Sequence, residues 1–194
     1  EDNLRVMQKA ADRYRIYLPD RQLCCAPFRS DEGRSYLAAM KCGANFAFAN
    51  RQIVTHWVRQ TIEEHWGFTP NQHGIRVVYD VCHNIAKVET HIVNGERRRV
   101  CVHRKGATRA FPAGHPEVPE AYRDVGQPVL VPGDMGRYSY VLVGNPESPD
   151  YTFASSCHGA GRRLSRKAAV KATRDRNILR ELAEKGVTIA AAGR

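Results

Sequence analysis

Between Ser30 and Gly67 the chain runs without a proline, and no other stretch limits its fold as strongly. Ser30 is a good helix N-cap, Asp31 and Glu32 follow it as acidic first-turn residues, and Gly67 is a suitable C-cap. The interval is rich in Ala, Phe, Ile and Trp. It is predicted to form one long helix or two abutting ones, and its dense apolar content predicts burial. Ahead of it, Leu4, Met7, Ala11 and Tyr14 recur at helical spacing until Pro19 ends a first helix.

After Gly67 the period changes. Residues 75–82, IRVVYDVC, read as a short β-branched strand, and Asn94-Gly95 between two alternating runs is a strong hairpin signal. Residues 106–127 hold several prolines and glycines and read as a long loop of the kind that carries function in a compact domain. Two apolar runs then flank a Gly-Asp-Met-Gly turn, YTFASSC reads as a strand, and residues 165–186 show helical spacing at Ala169, Ala172, Ile178, Leu179 and Leu182 with a stop at Gly186. A final VTIAAA could begin one more strand. Strands clustered between helical ends favour an α+β class over a βαβ winding, in a single domain over residues 1–194.

Thirty Lys and Arg against twenty Asp and Glu give a formal charge of +10. That balance biases the chain toward polyanions such as RNA, DNA or nucleotides, with a merely solvated basic surface as the alternative. Six cysteines without a repeating CxxC spacing argue against a zinc ribbon or a secreted disulfide framework and for a reducing, cytoplasmic setting. No apolar run approaches the ~20 residues of a membrane span, and the N-terminus lacks signal-peptide anatomy. It also lacks an initiator Met, which suggests a portion of a longer chain.

The chemistry concentrates in SSCHGAGRRLSR, residues 155–166. At a strand-to-helix junction, Gly159 and Gly161 would let backbone N–H groups approach an anion, the following helix would offer its positive end, and Arg162 and Arg163 would add fork-shaped phosphate donors. His158 beside such a cradle is placed to attack a phosphorus and carry it as a phosphoramidate. A tight turn whose histidine only caps a helix stays open as the plainer reading. His83 and Asn84 end an apolar run, where His83 could ligate a divalent metal. His103, Arg104, Lys105 and Arg109 surround Gly106 as a second basic turn, and Asp134, Met135 and Ser139 lie in a turn able to line a nucleobase pocket.

Taken together, LPDRQL, GANFAFANRQ, VYDVCHNIAKVE, CVHRKGATRAFP, GHPEVPE, PGDMGRYSYVLVG and SSCHGAGR resemble, in order, the motifs of the RtcB family of GTP-dependent RNA ligases. The resemblance covers nearly the whole chain. It implies mixed helices and largely antiparallel strands around a central cleft, present here in part. The activity implied joins RNA ending in a 2′,3′-cyclic phosphate or 3′-phosphate to RNA with a 5′-hydroxyl, in tRNA splicing or RNA repair. By that resemblance His158 carries covalent GMP, and His83 ligates one of two Mn²⁺ ions. Asn84, Pro132, Asp134, Met135, Ser139, Ala160 and Gly161 contact the nucleotide. Arg104, Lys105, Arg109 and Arg162 are expected to contact RNA or phosphate. GTP and RNA are the implied partners, and whether an activator such as archease is needed stays open. The family's upstream Asp, Cys and two further His ligands and its C-terminal guanine-contacting Lys fall outside residues 1–194, so the chain is expected not to ligate on its own.

Overall fold

In a computed structural model of the chain, the described residues are 2–20, 23–134, 136–159, 161 and 163–190. The fold is α+β: among the described residues, helices and three two-stranded sheets. Two compact units divide the chain, Glu1–His103 and Arg104–Arg194.

In the first unit, α1 (Asp2–Arg13) buries Met7, Ala10 and Ala11. The proline-free run is a single helix, α2 (Asp31–Trp66), of 36 residues, and therefore about 54 Å long. Ser30 caps it by accepting from Gly33 N at 3.1 Å, and Gly67 ends it at φ 69°. Glu32 ties the two helices together, accepting from Arg13 Nη1 at 3.0 Å and from Tyr14 Oη at 3.1 Å. Hydrogen bonding to backbone N–H holds its carboxyl below the usual range, helped by Tyr14, Ser30 and Arg13 against a smaller opposing desolvation.

The expected burial of α2 is not met. Only Gly33 is buried, while Phe46 is 76% and Trp57 58% exposed. Its apolar residues are spread around the cylinder, and its neighbours α1, the short α3 (Pro70–His73) and β1 take up only part of that surface. Residues 75–82 also depart from expectation, since they form no strand. They run as an irregular segment with Val77 and Val78 exposed. The segment is held from the side by Arg51 of α2, whose Nε donates to Asp80 Oδ1 at 2.6 Å and whose Nη2 donates to Cys82 Sγ at 3.7 Å. The hairpin of β1 (Asn84–Val93) and β2 (Glu96–Lys105) forms where Asn94-Gly95 predicted it. Both turn residues have positive φ, 54° and 80°, the left-handed pair that a type I′ turn requires.

In the second unit, the stretch read as a long loop supplies the core. Phe111 and Val118 are buried with Ala154, half-buried Tyr122 packs against them, and a 3₁₀ turn (Glu120–Tyr122) closes the segment. Gln127, itself buried, joins Phe111 on both sides: its N donates to Phe111 O at 2.9 Å and its Oε1 accepts from Phe111 N at 3.3 Å. β4 (Pro128–Val131) and β5 (Tyr140–Val143) pair antiparallel, Pro128 opposite Val143, around the Gly-Asp-Met-Gly turn.

The YTFASSC strand is shorter than expected. α4 (Ser148–Thr152) takes its first two residues, and β6 is only Ser155–Cys157. The long C-terminal helix splits into α5 (Arg166–Ala172) and α6 (Ile178–Ala183). Polar side chains cause the break: Thr173 Oγ1 donates back to Ala169 O at 2.9 Å, and Asn177 Oδ1 accepts from Arg180 N at 3.0 Å to start a new helix. Residues 187–190 form no strand, and the rest of the VTIAAA run lies outside the described residues.

Candidate active site

β3 (Ala107–Arg109) and β6 lie antiparallel, with Ala107 opposite Cys157, Thr108 opposite Ser156 and Arg109 opposite Ser155. That register brings Gly106, just ahead of β3, against His158, just past β6. A Cβ at position 106 would stand 3.6 Å from His158 Cδ2. On the other side Gly159, at φ 154°, would place a Cβ 3.4 Å from Pro132 O. Gly106 therefore lies against the half-buried imidazole of His158, and Pro132 backs the residue that follows it, Gly159.

Arg104 fixes the approach to this junction. It is 2% exposed, and it donates from Nε to Ser155 Oγ at 2.8 Å and from Nη2 to Phe153 O at 2.7 Å. Phe153 and Ala154 are successive non-glycine residues at φ 51° and 49°, a strained conformation costing on the order of 1–3 kcal/mol each. Arg104 binds the carbonyl of the first, and Ala110 N donates to the carbonyl of the second at 2.7 Å. Thr152 Oγ1 and Ser155 bond reciprocally, at 2.9 and 3.1 Å. The strain is thus held on three sides immediately before the strand that presents His158.

Arg109 is committed in the same way. It donates to Gln127 Oε1 at 3.2 Å and Glu117 Oε2 at 2.7 Å, with its guanidinium 4.5 Å from the Phe111 ring centroid. His115 stacks on that ring at 3.6 Å. Of the three described cations in the basic turn, Lys105 alone is exposed.

In the turn after Pro132, Asp134 Oδ1 accepts from Gly136 N at 2.8 Å and Ser139 Oγ from Gly133 N at 3.1 Å. Pro132, Asp134 and Ser139 are exposed along this loop. Leu182 of α6 packs under it, with Cδ2 3.5 Å from where a Gly136 Cβ would be. Gly161 is exposed at φ 70°. The helix expected directly behind the glycines begins only at Arg166, capped by Ser165, so its positive end is not where the sequence pattern placed it. Met135, Ala160 and Arg162 lie outside the described residues.

His83 and Asn84 belong to the first unit, both exposed, with Asn84 opening β1. The Arg51–Asp80 pair anchors the segment leading to them. Among the described residues no three His, Cys, Asp or Glu side chains gather as a metal site. No described helix is long and apolar enough to cross a membrane, and all six cysteines are free.

Sequence reasoning missed Ser155, Gln127 and Glu117, the partners that turn Arg104 and Arg109 inward. Nothing local marks them, because the pairing is made by the fold.

Comparison with known proteins bears on this arrangement. The chain matches, over residues 1–194, the family described as tRNA-splicing ligase RtcB. Curated proteins named tRNA-splicing ligase RtcB are similar over 98% of the chain: 56% identical in Thermococcus kodakarensis, 55% in Pyrococcus abyssi and 52% in Archaeoglobus fulgidus. The chain spans 40%, 21% and 39% of those proteins' lengths.

Proposed function

The chain belongs to the RtcB family, and on that premise we propose that it is the part of an RNA ligase in which His158 becomes covalently bonded to a nucleotide. The observation that carries this reading is the close packing at His158, with Gly106 against its imidazole and the next residue, Gly159, backed by Pro132. A Cβ at 106 would rest in van der Waals contact with the imidazole, so glycine there keeps a side chain from crowding the ring.

The chemistry is that of an imidazole nucleophile. Its nitrogen attacks the α-phosphorus of GTP, an N–P bond forms, and pyrophosphate leaves with the electron pair of the broken P–O bond. An RNA 3′-phosphate oxygen then takes the guanylyl group and restores the imidazole. The oxygen of a 5′-hydroxyl attacks that activated phosphorus, loses its proton and releases GMP as the phosphodiester forms. Pro132, Asp134 and Ser139 contact the guanosine, and the family resemblance adds Asn84, Met135, Ala160 and Gly161 as nucleotide contacts. Lys105, exposed beside Gly106, meets RNA phosphate, as does Arg162. Arg104 and Arg109 serve by bracing β6 and β3.

Manganese is expected from the resemblance, with His83 as one ligand. The described residues do not fit a metal centre by themselves, since one imidazole cannot fix a divalent ion that takes several donors. Six free cysteines suit a reducing cytoplasm, where tRNA splicing or repair would act.

The test is incubation of the longer ligase carrying these residues with α-labelled GTP. Label that is acid-labile, alkali-stable and lost in His158→Ala supports the reading. Label retained in that variant contradicts it.

A further inference from the structure

The β1-β2 hairpin has two faces of different character. Its two-residue turn closes the ladder at Val93 and Glu96, so even positions of β1 share a face with odd positions of β2. One face carries Glu89 and His91, both buried and joined by a 3.0 Å contact between His91 Nε2 and Glu89 Oε2. Nearer the turn, Glu96 Oε2 on that face accepts from Arg98 Nε and Nη2 at 3.1 and 2.7 Å.

The opposite face carries Val88, Thr90 and Ile92 from β1 and Arg97, Arg99 and Cys101 from β2, all exposed. No carboxylate stands on it. Neither Arg97 nor Arg99 makes an ion pair among the described residues. Farther from the turn, Tyr36 of α2 hydrogen-bonds His103 Nε2 at 3.1 Å.

We infer that this strip binds a single-stranded segment of RNA. Alternate side chains on a strand stand about 6.6 Å apart, comparable to one nucleotide of an extended chain, so Arg97 and Arg99 take successive phosphates with their forked donors. Val88 and Ile92 beside them offer an apolar platform for ribose and base faces. Exposed arginines alone would be a solvated surface. A face with two unneutralised arginines, exposed aliphatic side chains and no acid is complementary to a phosphodiester backbone and to little else. The choice of RNA rests on the ligase reading above, yet the strip uses no residue of the His158 site.

The test is fluorescence anisotropy of the 194-residue chain with a labelled oligouridylate across a KCl series. In Arg97→Ala/Arg99→Ala, binding at low salt is expected to weaken about tenfold or more, and the slope of log affinity against log salt to flatten by about 1.4, two phosphates at about 0.7 each. Arg98→Ala, already neutralised by Glu96, is expected to change little, and Arg97→Lys/Arg99→Lys to keep most of the slope. An unchanged slope in the double alanine variant, with native circular dichroism, overturns the inference, as does an equal loss in Arg98→Ala or an absence of RNA binding by the unaltered chain. The outcomes separate from the ligase reading. An unlabelled His158 with the strip's slope effect intact overturns the covalent chemistry alone, and a labelled His158 with no slope effect overturns the strip alone.

Discussion

Gly106 and His158 face each other across the adjoining ends of β3 and β6, so close that a side-chain carbon at 106 would lie 3.6 Å from His158 Cδ2. Gly106 also sits at φ 64°. Gly106→Ala is therefore expected to lower stability by about 1 kcal/mol, the penalty of an L residue in the left-handed region. It also lays a methyl against the imidazole, so nucleotide labelling of His158 should fall by more than the stability loss explains. Urea denaturation beside labelling yield in the longer ligase checks both. A full yield in the destabilised variant would remove Gly106 from the site.

Arg104 is expected to behave as a brace. Arg104→Met deletes charge-assisted donors to Phe153 O and Ser155 Oγ, each worth roughly 1.5–3 kcal/mol. A clear drop in urea midpoint should follow, with no change in the salt dependence of RNA binding. Arg104→Lys should not restore stability, since one ammonium cannot span both acceptors. A changed salt slope with unchanged midpoint would make Arg104 an RNA contact instead.

Much of this was legible in the sequence wherever a local rule decides the outcome. Ser30 and Gly67 bound α2 because a cap needs only its neighbours, and Asn94-Gly95 bends the hairpin because both residues accept positive φ. The rest depends on partners distant in sequence. Residues 75–82 have β-branched composition but no strand beside them, so they stay irregular. Thr173 and Asn177 satisfy their own neighbours and divide a helix that apolar spacing alone would have continued. At the site, His158, Gly159 and Gly106 could be read from their motifs, and Pro132 from the family resemblance. The inward turn of Arg104 and Arg109 could not, because Ser155 and Gln127 become their partners only after folding.

Acid should loosen the first unit through His103. Desolvation holds its imidazole below the ordinary 6.5, and desolvation also raises the phenol of its partner Tyr36 above 10.0, helped by neighbouring Cys24 and Cys101. Both rings are then neutral in the fold. The unfolded chain takes up a proton at His103 near 6.5 and the folded chain only at lower pH. Stability is therefore fully present above 6.5 and is lost as pH falls from there to the folded value. Urea midpoints measured across that window should decline less steeply in His103→Gln than in the unaltered chain. Parallel declines would exclude His103 as the source.

The central claim is the covalent bond between His158 and a nucleotide. Its most direct measurement is mass-spectrometric mapping of the peptide that carries GMP after the longer ligase has met GTP without RNA. The expected result is one adduct, on the imidazole of His158 within SSCHGAGR, discharged when RNA with a 3′-phosphate is added. An adduct on any other residue, or ligation that proceeds in His158→Ala, would contradict it.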